Sequence, residues 1–340
     1  MRRGRGTPLG TFLCAGLAAT VVLTVYSPPE HPLLQPPFQA AGGRPALPFA
    51  EPAPAAYGVS GGVKMRFVLP GRAVEYPLAL ASDSGQFAYQ WVRVVDTVPT
   101  GVVRPLGGDR LLAPQMPGFY RLALLRGGER QLVDGLTVTV LIPFEEKQGG
   151  TLRGVRLGTW AGERGGRKGS ASLPEGFIQV ADAALQLPIS KHLRLGDFLT
   201  TPDTPTDGMP GFAALDPRLL DKLELVMGEL QRSLGSSGDG AFSPRLLVNS
   251  GFRPPAYNRT VRGAASDSRH QYGDAADVRI DLDGDGRFSQ AEARRVVKAV
   301  DAVERSHPDL KGGLGLYTSR RYRSPYVHID ARGKRARWTG

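Results

Sequence analysis

The stretch DSRHQYGDAADVRIDLDGDGRFSQAE, from Asp267 to Glu292, constrains this chain more than any other, because it crowds a histidine, a run of aspartates and repeated glycines into very little space. Gly273, Ala275 and Ala276 stand between His270 and Asp277, so a loop carrying the histidine can turn tightly into a strand carrying the aspartate. Both side chains can then face one point. Of the five histidines, His31 lies in a proline-rich segment, His192 precedes an apolar one and His307 ends a helical pattern. That leaves His328, in the strand-like YVHID, as the natural third ligand. Two imidazoles and a carboxylate suit zinc, and three protein ligands leave a fourth position for water, as hydrolysis requires. Spacing alone leaves open that His270 and Asp277 only hydrogen-bond to each other.

The second half of the stretch, residues 281–292, fits an EF-hand calcium loop. Asp281, Asp283 and Asp285 supply oxygens, Gly286 permits the sharp turn, Arg287 offers its carbonyl, Ser289 acts through water and Glu292 closes bidentately. A helix pattern follows from Ala291, but a strand pattern replaces the usual incoming helix. A lone loop of this kind reads as a structural calcium clip, with a solvated acidic turn as the plainer alternative.

The N-terminus carries Arg2, Arg3 and Arg5 ahead of an uncharged apolar run from Pro8 to Tyr26, the pattern of a membrane-targeting segment. Residues 1–26 read as a basic cytoplasmic flank and a retained transmembrane anchor. A cleaved signal peptide is the other reading, although VLTVYSPPE offers no A-x-A site. Either way the remainder is expected in the cell envelope, as a single-pass inner-membrane protein facing the periplasm or as a secreted periplasmic one. Cys14 is the sole cysteine, which excludes a disulfide framework or a cysteine metal site. The net charge of +11 suits anionic surroundings such as a cell-wall polymer or lipid headgroups, and export argues against nucleic acid. The oligomeric state has no signature in the sequence.

Proline and alanine dominate residues 27–60, which read as an extended linker. Short alternating runs broken by glycine and proline over 61–143 predict an all-β, immunoglobulin-like sandwich without a cluster of chemical groups. Residues 144–190 form a Gly-rich connector with short strands. From 191 to 340 the texture changes to α+β: DPRLLDKLELVMGELQRSL predicts a long amphipathic helix with Asp216 as N-cap, and PRLLVNSGF, ADVRID and YVHIDA predict strands around a second helix.

At Ser268-Arg269-His270-Gln271-Tyr272-Gly273-Asp274-Ala275-Ala276-Asp277 the chain resembles the S-x-H-x-x-G-x-A-x-D signature of the zinc D-alanyl-D-alanine carboxypeptidases and murein endopeptidases, the M15 metallopeptidases, which share a fold with Hedgehog signalling domains. SGFRPPAYN is similar to that family's S-G-Y-R-x-P-x-x-N block, SKHLRLGDFL to its opening motif, and YVHID stands where its last zinc ligand lies. The resemblance implies that His270, Asp277 and His328 hold zinc, that Arg253, Ser268 and Tyr326 contact the substrate, and that the substrate is a peptide of peptidoglycan. It also exposes a departure. Many members carry Glu or Asp three residues before the last histidine as general base, and Pro325 stands there in this chain. Asp330 is the first replacement to consider and Asp274 the second, with orientation of a metal ligand as an equal alternative for Asp330. Two functions remain in view: a zinc peptidase acting on stem peptides or cross-links, by carboxypeptidase or endopeptidase action, and an inactive peptidoglycan-binding or scaffold protein that keeps the metal-bound fold.

Overall fold

Two core-forming helices and two principal sheets organise the chain around an apolar cluster that runs from Tyr57 to Ala331. The computed structural model describes residues 50–51, 57–76, 79–80, 87–106, 111–164, 173–199, 211–235, 243–318, 322 and 324–340. The apolar run ending at Tyr26 and nearly all of the proline-rich linker lie outside them. Among the described residues no helix is long and apolar enough to cross a membrane.

The first sheet is built from β1 (Met65–Val68), β2 (Ala88–Arg93), β3 (Pro99–Pro105), β4 (Gly118–Arg126), β5 (Glu129–Leu132) and β6 (Thr137–Val140). Its order is β1-β6-β4-β2-β3 with β5 on β4; the pairing is antiparallel except between β1 and β6. Alternation along β4 sends Tyr120, Leu122 and Leu124 to one side. There they meet Val74 and Leu111 of a two-stranded ribbon. Phe119 and Met65 instead enter the main cluster. Among the described residues this part holds the six-stranded sheet, this ribbon and a second one between Ala50–Glu51 and Ala79–Leu80. Through Met65 and Phe119 the sheet also packs on the core of the C-terminal part.

The folded part begins by Tyr57, slightly before the boundary expected at Ser60. The backbone amides of Val59 and Ser60 donate to the Asp221 carboxylate at 2.9 and 2.8 Å, and Tyr57 bridges to Val63. β7 (Ile142–Pro143), at the end of the preceding segment, and β8 (Gly176–Val180), from the connector, join β9 (Gly211–Ala213) in a small antiparallel sheet. The connector also supplies Trp160, wholly buried against Phe144 and Phe177.

The first long helix, α1 (Pro217–Leu234), starts where Asp216 accepts from the Arg218 amide and proline occupies the first turn, and ends at Gly235 in a positive-φ conformation. Its Leu219, Leu220, Leu223, Val226, Met227 and Leu230 are buried, each such burial stabilising by roughly 1.5–3 kcal/mol. Three buried positions on this helix are polar, Asp221, Lys222 and Glu224. Lys222 is fully enclosed, and its Nζ donates to Glu304 Oε1 and to the Asp330 carbonyl, both at 2.7 Å.

The second sheet comprises β10 (Arg245–Ser250), β11 (Ala275–Asp281), β12 (Gly313–Tyr317), β13 (Tyr326–Asp330) and β14 (Ala336–Thr339), in the order β10-β11-β13-β12-β14. Together with α1 and α2 (Gln290–Ser306) it makes the expected α+β domain. Val278, Ile280, Val327 and Ile329 join the apolar cluster with the helices. The period of two therefore turns Asp277, Tyr326, His328 and Asp330 to the opposite face.

Candidate metal centre and its cavity

Strand register brings the ligand candidates together: Asp277 on β11 pairs directly with His328 on β13. The third comes from the short 3₁₀ turn Arg269–Tyr272, which ends at Gly273 with φ of 74°. A side chain at Gly273 would meet the Ala214 carbonyl oxygen at 2.2 Å, so glycine alone lets the turn enter β11 against β9. Trp160 Nε1 donates to the Gln271 carbonyl at 2.7 Å and the Arg253 amide donates to the His270 carbonyl at 3.1 Å, fixing the turn from two sides.

One ligand atom from each of His270, Asp277 and His328 lies within 4.8 Å of the others. His270 Nε2 is 3.2 Å from His328 Nδ1 and 3.3 Å from Asp277 Oδ1, and His328 Nδ1 is 2.9 Å from the same oxygen. The outer nitrogens are engaged. His270 Nδ1 donates to the Gly251 carbonyl at 2.7 Å, and His328 Nε2 lies 3.2 Å from Asp330 Oδ2. Each ring is thereby held with its other nitrogen toward the shared point, as an outer hydrogen bond orients a metal-ligating histidine. Burial lowers the His270 pKa and favours the neutral, ligating imidazole. Burial opposes ionisation of Asp277, but His270 and His328 outweigh it and hold the carboxyl well below its ordinary range. Two nitrogens and one ionised oxygen, with space on one side, fit zinc and an open fourth position.

That space is a cavity of about 780 Å³ lined by Arg253, Ser268, Tyr317, Tyr326 and Trp338 among others. Arg253 is buried with its Nη2 at 3.7 Å from Asp277 Oδ2, and its Nε has no hydrogen-bond partner. Tyr326 stacks on Tyr317 with centroids 4.5 Å apart, and Tyr322 meets both edge-on. Burial first, then the Asp277 charge, push the Tyr326 hydroxyl up, so it stays protonated as a donor. Gly315 opposite His328 leaves room for the Trp338 indole, which its missing side chain would strike at 2.3 Å. Trp338 thus packs beside the His328 ring, at 5.1 Å between centroids.

Neither carboxylate considered as general base faces this cavity. Asp330 is wholly buried behind His328, where its oxygens accept from the Gly313 amide at 2.7 Å and from Arg332 Nε at 2.9 Å. Burial would raise its carboxyl, but the hydrogen bonds from His328, Arg332 and Gly313 prevail and keep it ionised. This geometry is that of an orienting partner. Asp274 is ion-paired with Arg269 and lines a different cavity. With Asp277, Asp267 is the only carboxylate lining the metal-side cavity among the described residues; its Oδ1 accepts from the Tyr272 hydroxyl. The sequence reading missed Asp267, Tyr317, Tyr322 and Trp338, because only the folded sheet carries them to one wall.

In the 281–292 loop, Asp281, Asp283 and Asp285 also bring ligand atoms within 4.8 Å of one another. Asp281 accepts from the Gly284 and Gly286 amides, and Asp285 from Arg287. Glu292 does something the loop pattern did not foretell. Its two oxygens accept from the Leu282 amide at 2.8 Å and the Ser289 amide at 2.6 Å, while Ser289 Oγ accepts from the Glu292 amide, a reciprocal cap on α2. Glu292→Gln is expected to destabilise the fold by roughly 1–3 kcal/mol, since its amide oxygen can replace only one of the two accepting oxygens and its NH2 group would face the other backbone donor in a buried place. The urea midpoint measured in chelator reads this cap alone, and a midpoint equal to wild type refutes it.

Residues 221–308 match the family model described as Peptidase M15. The match spans most of α1, the 3₁₀ turn, β11 and α2, and stops before β13, so His328 joins the ligand group on geometry alone. No curated protein matches the chain.

Proposed function

We propose that this protein is a zinc metallopeptidase of the cell envelope that hydrolyses peptide bonds in peptidoglycan stem peptides or their cross-links, a reading supported by the match of residues 221–308 to the Peptidase M15 model. The observation that carries this reading is the convergence of His270, Asp277 and His328 on the floor of a cavity whose wall holds a guanidinium with an unused donor. When bound there, zinc supplies Lewis-acid polarisation of the scissile carbonyl and lowers the pKa of water. Arg253 is suited to grip a substrate carboxylate, because its fork is planar and already desolvated. Ser268 and the Tyr326 hydroxyl line the same cavity and orient the peptide beside that carboxylate. The apolar run from Pro8 to Tyr26 supports export and anchoring.

A hydrolase needs a group that takes the proton of the attacking water. Asp267 fills that place in this reading, since it shares the cavity with the ligands and Asp330 and Asp274 do not. Asp267→Asn is expected to lower the turnover of isolated wall peptides by about 10²–10⁴-fold, the ordinary contribution of a positioned acid or base, with zinc content unchanged. Wild-type turnover in that variant removes Asp267 from the reaction.

The turning away of Asp330 and Asp274 favours a second reading, a wall-binding protein that keeps the metal and has lost catalysis. Digestion of purified peptidoglycan by the zinc-loaded protein, followed by mass spectrometry of released peptides, separates the two. Retention on the wall without any released peptide selects the binding reading. Calcium is proposed as the second ion, held by Asp281, Asp283 and Asp285 with the Arg287 carbonyl and Ser289 following in order. In this reading Glu292 secures the loop as well as closing it.

A further inference from the structure

A second cavity of about 550 Å³ lies on the other side of the metal-site turn, between the N-terminal sheet and α1. Arg269 and Arg332 line both cavities, so the two adjoin along a shared wall. Each of these guanidiniums is anchored on a buried carboxylate, Arg269 on Asp274 and Arg332 on Asp330. The anchors use Nε and Nη2 in both cases, which leaves the Nη1 groups as further donors. Across the cavity stand Arg66 on β1, whose nearest carboxylate partner is Glu75 at 3.7 Å, and the exposed Glu175. Asp216 and Arg218 are paired to each other at 2.6 Å at the helix end.

This lining is not simply basic. Arg218, Arg269 and Arg332 are neutralised by Asp216, Asp274 and Asp330, which among the described residues leaves Arg66 and the exposed Glu175 as the lining charges without a close opposite partner. One such cation and one such anion on one wall suit a ligand that carries both signs of charge.

We infer that this second cavity binds a zwitterionic peptide bearing a free carboxylate and a free amine, with Arg66 gripping the carboxylate and Glu175 the ammonium. Resting on the peptidase reading above, the ligand is the second stem of a cross-linked pair, whose first stem occupies the metal-side cavity. Arg269 and Arg332 then lie under the cross-link where it passes between the two. The arrangement makes cross-linked peptides the preferred substrate, because an uncrosslinked stem fills one cavity at a time and gains nothing from the other.

Calorimetric titration of the zinc-loaded full chain with an uncrosslinked stem tetrapeptide tests this without relying on turnover, since that product peptide retains no terminal D-alanyl-D-alanine bond. Two peptides per chain are expected. Arg66→Glu is expected to weaken one site by about tenfold or more and spare the other, whereas Arg253→Ala removes the spared one. Arg66→Lys keeps the charge and is expected to retain most of the affinity, which excludes mere unfolding of β1. A single peptide per chain in wild type and Arg66→Glu alike overturns the second site and leaves the peptidase reading standing. Two sites in a protein that releases no peptide from cell wall keep this inference and overturn that reading instead.

Discussion

Purified His328→Ala is expected to hold no zinc and to release no peptide from cell wall, while Asp330→Asn is expected to hold zinc about 10–100-fold more weakly and to remain active when zinc is supplied. The difference follows from where each side chain stands. His328 presents Nδ1 to the point shared with His270 and Asp277, so its loss leaves two ligands where a tetrahedral site needs three from the protein. Asp330 touches only the outer nitrogen of that ring, and its other bonds run to Gly313 and Arg332. An asparagine there can still accept from the ring, but it turns an NH2 group toward the Arg332 guanidinium. The ring is then less firmly aimed. Competition with a chromophoric chelator gives both affinities directly. Should Asp330→Asn keep wild-type zinc affinity and lose turnover, Asp330 would be the proton acceptor after all, and the role assigned to Asp267 would fall.

The convergence of His270, Asp277 and His328 was legible in the sequence because its parts are local or periodic. His270 and Asp277 are joined by a turn that Gly273 alone permits, and the alternation of β13 puts His328 on the face opposite Val327 and Ile329. The long helix was legible for the same kind of reason, since Asp216, Pro217 and the leucine spacing each mark a feature of one segment. What could not be read were properties of pairing between distant segments. The role of Asp330 depends on Arg332 and the Gly313 amide closing around it, and no spacing rule distinguishes a carboxylate beside a metal from one behind its ligand. The aromatic wall depends on β12 lying beside β13 and β14 beside β12, which brings Tyr317, Tyr326 and Trp338 together. The packing of the N-terminal sheet was hidden for a related reason. Alternating strands predict a sheet with one apolar face, and only tertiary packing reveals that Phe119 and Met65 on its second face join the main apolar cluster.

Lys222→Met is expected to destabilise the protein by about 3–5 kcal/mol, the cost of breaking one side of a buried ion pair. Lys222 is wholly enclosed, and burial lowers its pKa against the pull of Glu304. Its ammonium joins three elements at once, from α1 to Glu304 on α2 and to the Asp330 carbonyl at the end of β13. Methionine fills similar volume but donates nothing, so Glu304 keeps only Arg337 and the Gly312 amide, and the Asp330 carbonyl loses its donor. The double variant Lys222→Met, Glu304→Leu is expected to recover part of the loss, because it removes the stranded charge while Asp301 still holds Arg337. Urea denaturation of both variants reads these energies, and a double variant no more stable than the single one refutes the ion-pair account. The same lysine reaches the metal site through one residue. With the Asp330 carbonyl released, the end of β13 loosens just where Asp330 orients His328, so the single variant is expected to bind zinc more weakly under native conditions than wild type, although no atom of Lys222 approaches a ligand.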